Sequence, residues 1–104
     1  GCGKGDFLRL LCATAEAAGE GYDTSFEPRA EPETASVTFH RRYVSSADIT
    51  RPFHAIICRH VIEHVPEIGA FLRELHAIAV AAGDPVVVLE TPRFEWIVEH
   101  LSLW

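Results

Sequence analysis

No uninterrupted apolar run in this chain approaches the roughly 18 residues that a helix needs to cross a bilayer. No membrane partner is expected; no signal peptide is visible either, but with a cropped start expected that absence decides nothing about the native N-terminus. Basic residues are scarce: 9 Lys and Arg stand against 15 Asp and Glu, a formal charge of −6. A surface that displaces counterions from phosphates needs the opposite balance, which argues against a nucleic-acid partner. Arg41-Arg42 is the single basic doublet, and it reads as solvated surface. Cysteine is sparse and odd in number, and Cys2, Cys12 and Cys58 share no metal-ligand spacing. Free thiols in a reducing cytoplasm are the expectation. Repeats and low-complexity tracts are absent.

One more absence bears on function. The chain opens on Gly1-Cys2-Gly3-Lys4-Gly5-Asp6-Phe7, with no hydrophobic strand before it. A glycine-rich loop that empties into a helix brings backbone N–H groups and a helix dipole against a nucleotide, and it normally follows a strand. The chain is therefore expected to be a piece of a longer protein, cut at the end of its first strand. The Gly-x-Gly-x-x-Gly fingerprint of dinucleotide binding is also missing, because Asp6 or Leu8 falls where its last glycine belongs. The bland alternative is a tight strand-to-helix turn and nothing more.

What is present is ordinary for a soluble globular domain of modest core: 104 residues, 48% hydrophobic and 23% charged. Phe7, Leu10, Leu11, Ala15 and Ala18 recur at helical steps, predicting an amphipathic helix over 6–18. Asp6 stands in its first turn, and Gly19 stands where a left-handed cap belongs. Residues 21–25 read as a short strand carrying Asp23, 27–36 as loop, and Val37 to His40 as a strand. Residues 45–52 form a polar connection, and Phe53 to Cys58 is an apolar run of buried-strand length. The clearest helix runs from Ile68 to Ala82, with Pro66 before it and Gly83 ending it. Pro85 to Glu90 is a second buried strand, its Val86 to Leu89 run of the fully apolar kind that parallel sheets use, and Phe94, Ile97, Val98 and Leu101 suggest a last helix. This alternation predicts an α/β fold: a Rossmann-like parallel sheet with helices on both faces, lacking its first and its C-terminal strands. Ligands of such sheets bind at the carboxyl ends of the strands, so function is sought there.

Asp23 lies eighteen positions after Gly5, at a strand end. A carboxylate there can accept both hydroxyls of an adenosine ribose. The same residue in Tyr22-Asp23-Thr24-Ser25 is also a turn former, and both readings stand.

Gly1-x-Gly3-x-Gly5 resembles motif I of the class I S-adenosylmethionine (SAM)-dependent methyltransferases. Two further segments are similar to that family: Cys58-Arg59-His60-Val61-Ile62-Glu63-His64-Val65, where a strand runs into a short helix with a Glu-His pair, and Glu90-Thr91-Pro92. The resemblance covers essentially the whole of 1–104, as a partial SAM-binding domain, and its nearest flavour is the C-methyltransferases of nucleotide-linked deoxysugars. It implies SAM as cofactor and a small-molecule methyl acceptor. It implies cofactor contacts at Gly1, Cys2, Gly3, Gly5, Asp23, Thr24, Arg59 and His60, with Thr24 beside the adenine. Family members often hold the adenine amino group with an acid just past the third strand. Here Arg41-Arg42-Tyr43 follows His40, leaving Tyr43, Asp48 or backbone groups for that task.

His60 and His64 stand four apart and would share a helix face, but no third metal ligand of suitable spacing accompanies them. His60 is instead the candidate cofactor contact or general base, and His64 is expected to cap a helix with Glu63. His40, His54, His76 and His100 read as ordinary surface or core residues. Methyl transfer is an in-line attack on a sulfonium methyl, in which alignment and exclusion of water matter most. A carbon or neutral hydroxyl acceptor also needs a base. Two competitors remain: a nicotinamide-dependent oxidoreductase domain and a non-catalytic binding module of the same fold.

Overall fold

A computed structural model describes residues 1–30, 36–93 and 99. The chain forms two compact units, Gly1–Asp48 and Ile49–Trp104, each built from one helix and one parallel strand pair.

The first unit holds α1 (Asp6–Ala15), β1 (Gly19–Tyr22) and β2 (Val37–His40). Gly5, at φ 82, is the N-cap of α1, and Asp6 occupies its first turn as expected. The helix stops three residues earlier than its apolar spacing predicts. Glu16, at φ 50, makes the left-handed cap, and Gly19 is the first residue of β1 instead. The reason is packing. A Cβ on Gly19 would lie 2.6 Å from Cys12 Sγ and 2.9 Å from Leu8 Cδ1, so the helix seats directly on bare strand backbone. β1 pairs in parallel with β2, Gly19 opposite Val37 and Tyr22 opposite His40. Cys12, Phe26 and Val37 are the buried apolar residues of this unit among those described, and Phe26 stacks on Phe39 with ring centroids 4.5 Å apart. Glu20 and Tyr22 alternate with the glycines and give the pair a polar second face. There Tyr22 stacks on His40 and donates its hydroxyl to Glu20 Oε2.

The second unit holds β3 (Ala55–Arg59), α2 (Ile68–Ala81) and β4 (Val86–Glu90), with a 3-10 turn at Ile62–His64. α2 ends as predicted. Gly83, at φ 83, donates its N–H to Val80 O, and Asp84 N–H reaches Ala79 O, the paired bonds of a Schellman cap. Phe53 N–H to Ala82 O and Val86 N–H to His54 O tie the helix exit to the strand starts. Ile78 and Ala82 are the buried residues of this helix end. β3 and β4 pair in parallel, with Arg59 opposite Glu90. β3 starts and ends later than its apolar run, reaching Arg59, because pairing with β4 decides its length. The fully buried β4 expected from Val86 to Leu89 is not observed: Val86 is 68% exposed, and β3 is its one partner strand among the described residues. The last helix expected from Phe94 onward lies outside the described residues apart from Glu99.

Candidate functional site

In the first unit the glycine loop is fastened to the carboxyl end of β1. Cys2 N–H donates to Tyr22 O at 3.1 Å, and Gly5 N–H closes the loop on Cys2 O at 2.9 Å. Gly3, at φ 53, then donates its N–H to Asp23 Oδ2 at 2.8 Å. The other carboxylate oxygen, Oδ1, accepts Ser25 N–H at 2.8 Å and Ser25 Oγ–H at 2.6 Å. Asp23 is thus the turn residue that the sequence offered, and it also meets the glycine loop. Burial pushes its carboxyl up, but the bonds from Ser25 and Gly3 outweigh this and hold it below the ordinary aspartate range.

The loop's glycines do different things. A Cβ on Gly5 would fall 2.5 Å from Phe39 Cζ and 2.8 Å from Arg9 Nη1, so Gly5 is bare because the loop rests on a ring. A Cβ on Gly3 would meet nothing within 4 Å, so Gly3 is bare toward open space. Beneath the loop, Arg9 donates to Lys4 O at 2.6 Å and lies over the Phe39 ring at 4.5 Å. Arg9 and Phe39 were not among the residues singled out by the loop motif. Gly21 was the available signal, since a strand glycine marks close approach, and its missing Cβ would sit 2.7 Å from Phe39.

Gly1 and Thr24 are both exposed, and Thr24 O accepts from Arg41 Nε at 3.3 Å. Cys2 is half-buried; burial first, and the Asp23 charge second, push its thiol up. Of the two substitutes considered for the missing acid, Tyr43 is 84% exposed. Asp48 is engaged locally: its Oδ2 accepts Ser45 N–H and Oγ–H, and lies 2.7 Å from Arg42 Nη1. Arg42 and Ser45 hold that carboxyl far below the usual range.

In the second unit, the ends of β3 and β4 bring four charged or titratable side chains together. Arg59 forks onto Glu90, Nε to Oε2 at 2.6 Å and Nη2 to Oε1 at 2.9 Å. His60 Nε2 lies 3.1 Å from Glu90 Oε1, and its Nδ1 lies 3.5 Å from Glu63 Oε1. Glu63 therefore faces His60, and the expected Glu63–His64 cap does not form; His64 N–H bonds to Val61 O at 2.9 Å. The Arg59 bond is the main reason the Glu90 carboxyl lies below its ordinary value. Burial pushes the half-buried Cys58 thiol up. Among the described residues, no group of three or more His, Cys, Asp and Glu is placed to hold a metal ion, and no helix is long and apolar enough to cross a membrane.

A bare glycine loop is thus latched to an acid at a strand end, in an α/β unit. The family described as "Methyltransferase domain" matches residues 1–104, and the chain belongs to it. It is a SAM-dependent methyltransferase domain. Neither the curated proteins nor the solved structures contain a match to this chain. Nothing in these observations supports the nicotinamide-dependent alternative.

Proposed function

We propose that this domain binds the adenosine portion of SAM at the Gly3–Asp23 latch and transfers its methyl group to a small-molecule acceptor. The observation that carries the reading is the Gly3 N–H···Asp23 bond beside open space at Gly3. These residues fit such a cofactor. A carboxylate offers about four lone-pair sites, and three are used by Gly3 and Ser25. The Ser25 hydroxyl is a rotor and can yield its place to a ribose hydroxyl. When bound, SAM supplies a methyl carbon made electrophilic by its sulfonium. Gly1, Cys2, Gly3 and Gly5 shape the loop, Asp23 takes the ribose hydroxyls, and Thr24 borders the base.

Arg59 and His60 stand at the carboxyl end of their own strand pair, the side on which α/β sheets bind ligands. His60 serves as the base that removes a proton from a carbon or hydroxyl acceptor. The acceptor we favour is a carbon of a nucleotide-linked sugar, on the similarity of the Gly1–Asp6, Gly21–Phe26 and Cys58–Val65 segments to C-methyltransferases. The charge of −6 suits a small-molecule acceptor better than nucleic acid, and we place the protein in the cytoplasm. Calorimetric titration of this chain with SAM, S-adenosylhomocysteine and NAD tests the cofactor assignment. Binding of S-adenosylhomocysteine in preference to NAD is expected; tight NAD binding with no response to S-adenosylhomocysteine would overturn it.

A further inference from the structure

We infer that Glu90 is a positioning residue that selects the tautomer of His60, leaving Nδ1 as its basic nitrogen. The inference rests on the reading of His60 as the base. It begins with register. β3 and β4 are parallel with Arg59 opposite Glu90, so residues 31 apart in sequence end their strands side by side. The guanidinium fork fixes both carboxylate oxygens, since rotating the carboxylate would break two charge-assisted bonds at once.

The fixed Glu90 then holds His60 at two points. Its carbonyl accepts the His60 backbone N–H at 2.9 Å, and its Oε1 faces Nε2 at 3.1 Å. The backbone at His60 is correspondingly unusual, at φ 50. The other described non-glycine residues with positive φ, Glu16 and Asp84, belong to the ends of α1 and α2. His60 closes no helix and follows a strand, so its left-handed backbone serves the placement of its own ring. Such conformations persist where the surroundings over-determine them.

A neutral imidazole carries one N–H. At 3.1 Å from a carboxylate oxygen, Nε2 must be the nitrogen that carries it, because a lone pair there would face a lone pair. With its proton on Nε2, the neutral ring holds its lone pair on Nδ1, which faces Glu63 Oε1 at 3.5 Å. When an acceptor X–H gives up its proton, an N–H bond forms at Nδ1, the X–H bond breaks and its electron pair stays on X. The imidazolium so formed has a carboxylate beside each nitrogen, Glu63 at Nδ1 and Glu90 at Nε2. This is the orienting role that a carboxylate plays for histidine in a catalytic triad.

Long-range ¹H–¹⁵N NMR of the labelled chain reads the tautomer directly. His60→Gln identifies the His60 peaks, and the pH is raised until they stop moving. The expected pattern is a protonated Nε2 and an unprotonated Nδ1 in the native chain and in Glu63→Gln, and a mixed population in Glu90→Ala. A predominantly Nδ1-protonated ring in the native chain, or an Nε2-protonated ring that persists unchanged in Glu90→Ala, would overturn the inference. The native spectrum decides even where Glu90→Ala does not fold. Titration of the same sample with S-adenosylhomocysteine reads the cofactor assignment separately, because neither tautomer pattern depends on it.

Discussion

Replacing Asp23 by Asn separates the two jobs that the structure gives this residue. In the native chain Oδ1 organises the turn through Ser25, and Oδ2 latches Gly3. An asparagine keeps one oxygen, and asparagine is itself a favoured turn former, so it retains the Ser25 bonds. Its amide NH₂ is then set against the Gly3 N–H, donor facing donor. The latch is lost while the turn survives. All three bonds lie at the exposed surface, so water replaces much of what is lost, and the stability cost is about 1 kcal/mol for one bond. In a domain near 100 residues that lowers the Tm by roughly 4–8 °C. The effect on cofactor is larger in proportion. Losing a charged acceptor for ribose hydroxyls costs about 1.5–3 kcal/mol, roughly a tenfold to 150-fold rise in Kd. Asp23→Ala removes the turn as well and is expected to lower the Tm further at a similar Kd. Calorimetry with S-adenosylhomocysteine gives the Kd, and thermal unfolding by circular dichroism gives the Tm. Native affinity in Asp23→Asn, with only the Tm reduced, would refute the ribose role and leave Asp23 a turn residue.

Other consequences are measurable on the same chain. Gly5→Ala forces a Cβ within 2.5 Å of Phe39 in a left-handed backbone, whereas Gly3→Ala meets no atom within 4 Å; urea unfolding is expected to show a loss of about 1 kcal/mol for Gly3→Ala and about 1–3 kcal/mol more for Gly5→Ala. Equal losses would contradict the loop packing. Cys2 and Cys58 have thiols pushed up by burial, so iodoacetamide is expected to label both slowly at neutral pH and faster above about pH 9; rapid neutral labelling would show the loop and β3 to be more open than described. Glu90 is held below its ordinary 4.5 chiefly by Arg59. A depressed folded value means its contribution to stability is present above about pH 4.5 and is lost as the pH falls through the lowered value. Carboxyl ¹³C NMR is expected to place the Glu90 midpoint below 4.5 in the native chain and to move it up in Arg59→Gln; an unmoved midpoint would remove the fork as its cause.

Features with a short sequence range are legible in the sequence, and so is the parallel α/β alternation; the residue-by-residue pairing across the chain is not. The α2 period and the Gly83 cap are local, involving bonds from residues 83 and 84 back to 80 and 79, and they were readable from spacing alone. Gly19 misled because a glycine after an apolar helix signals a cap equally well whether it serves φ or close packing; only the approach of Cys12 and Leu8 distinguishes the two. The Gly-x-Gly-x-Gly pattern located the loop but presented it as one device. In space it divides, with Gly3 open and Gly5 set against Phe39, a residue of β2 that the loop reaches only once β1 and β2 have paired. The second cluster makes the same point more strongly. Glu63, three residues from His60, was assigned to His64 because the helical reading of that segment favours neighbours, yet the segment is a strand end followed by a single 3-10 turn, and that geometry turns Glu63 back toward His60. Strand alternation puts Glu90 and Arg59 at the same carboxyl edge, but nothing near residue 90 records the exact register that β4 takes beside β3. A slip of one residue would place Leu89 opposite Arg59 and carry the carboxylate away from the histidine. The apolar alternation that specifies register is weak in Val86-Val87-Val88-Leu89, where every position is apolar. The Arg59–Glu90 fork is then itself a register determinant, and Arg59→Gln is expected to broaden the amide NMR signals of β4 through exchange between registers; sharp, unshifted β4 signals in that variant would show that the backbone pairing needs no such pin.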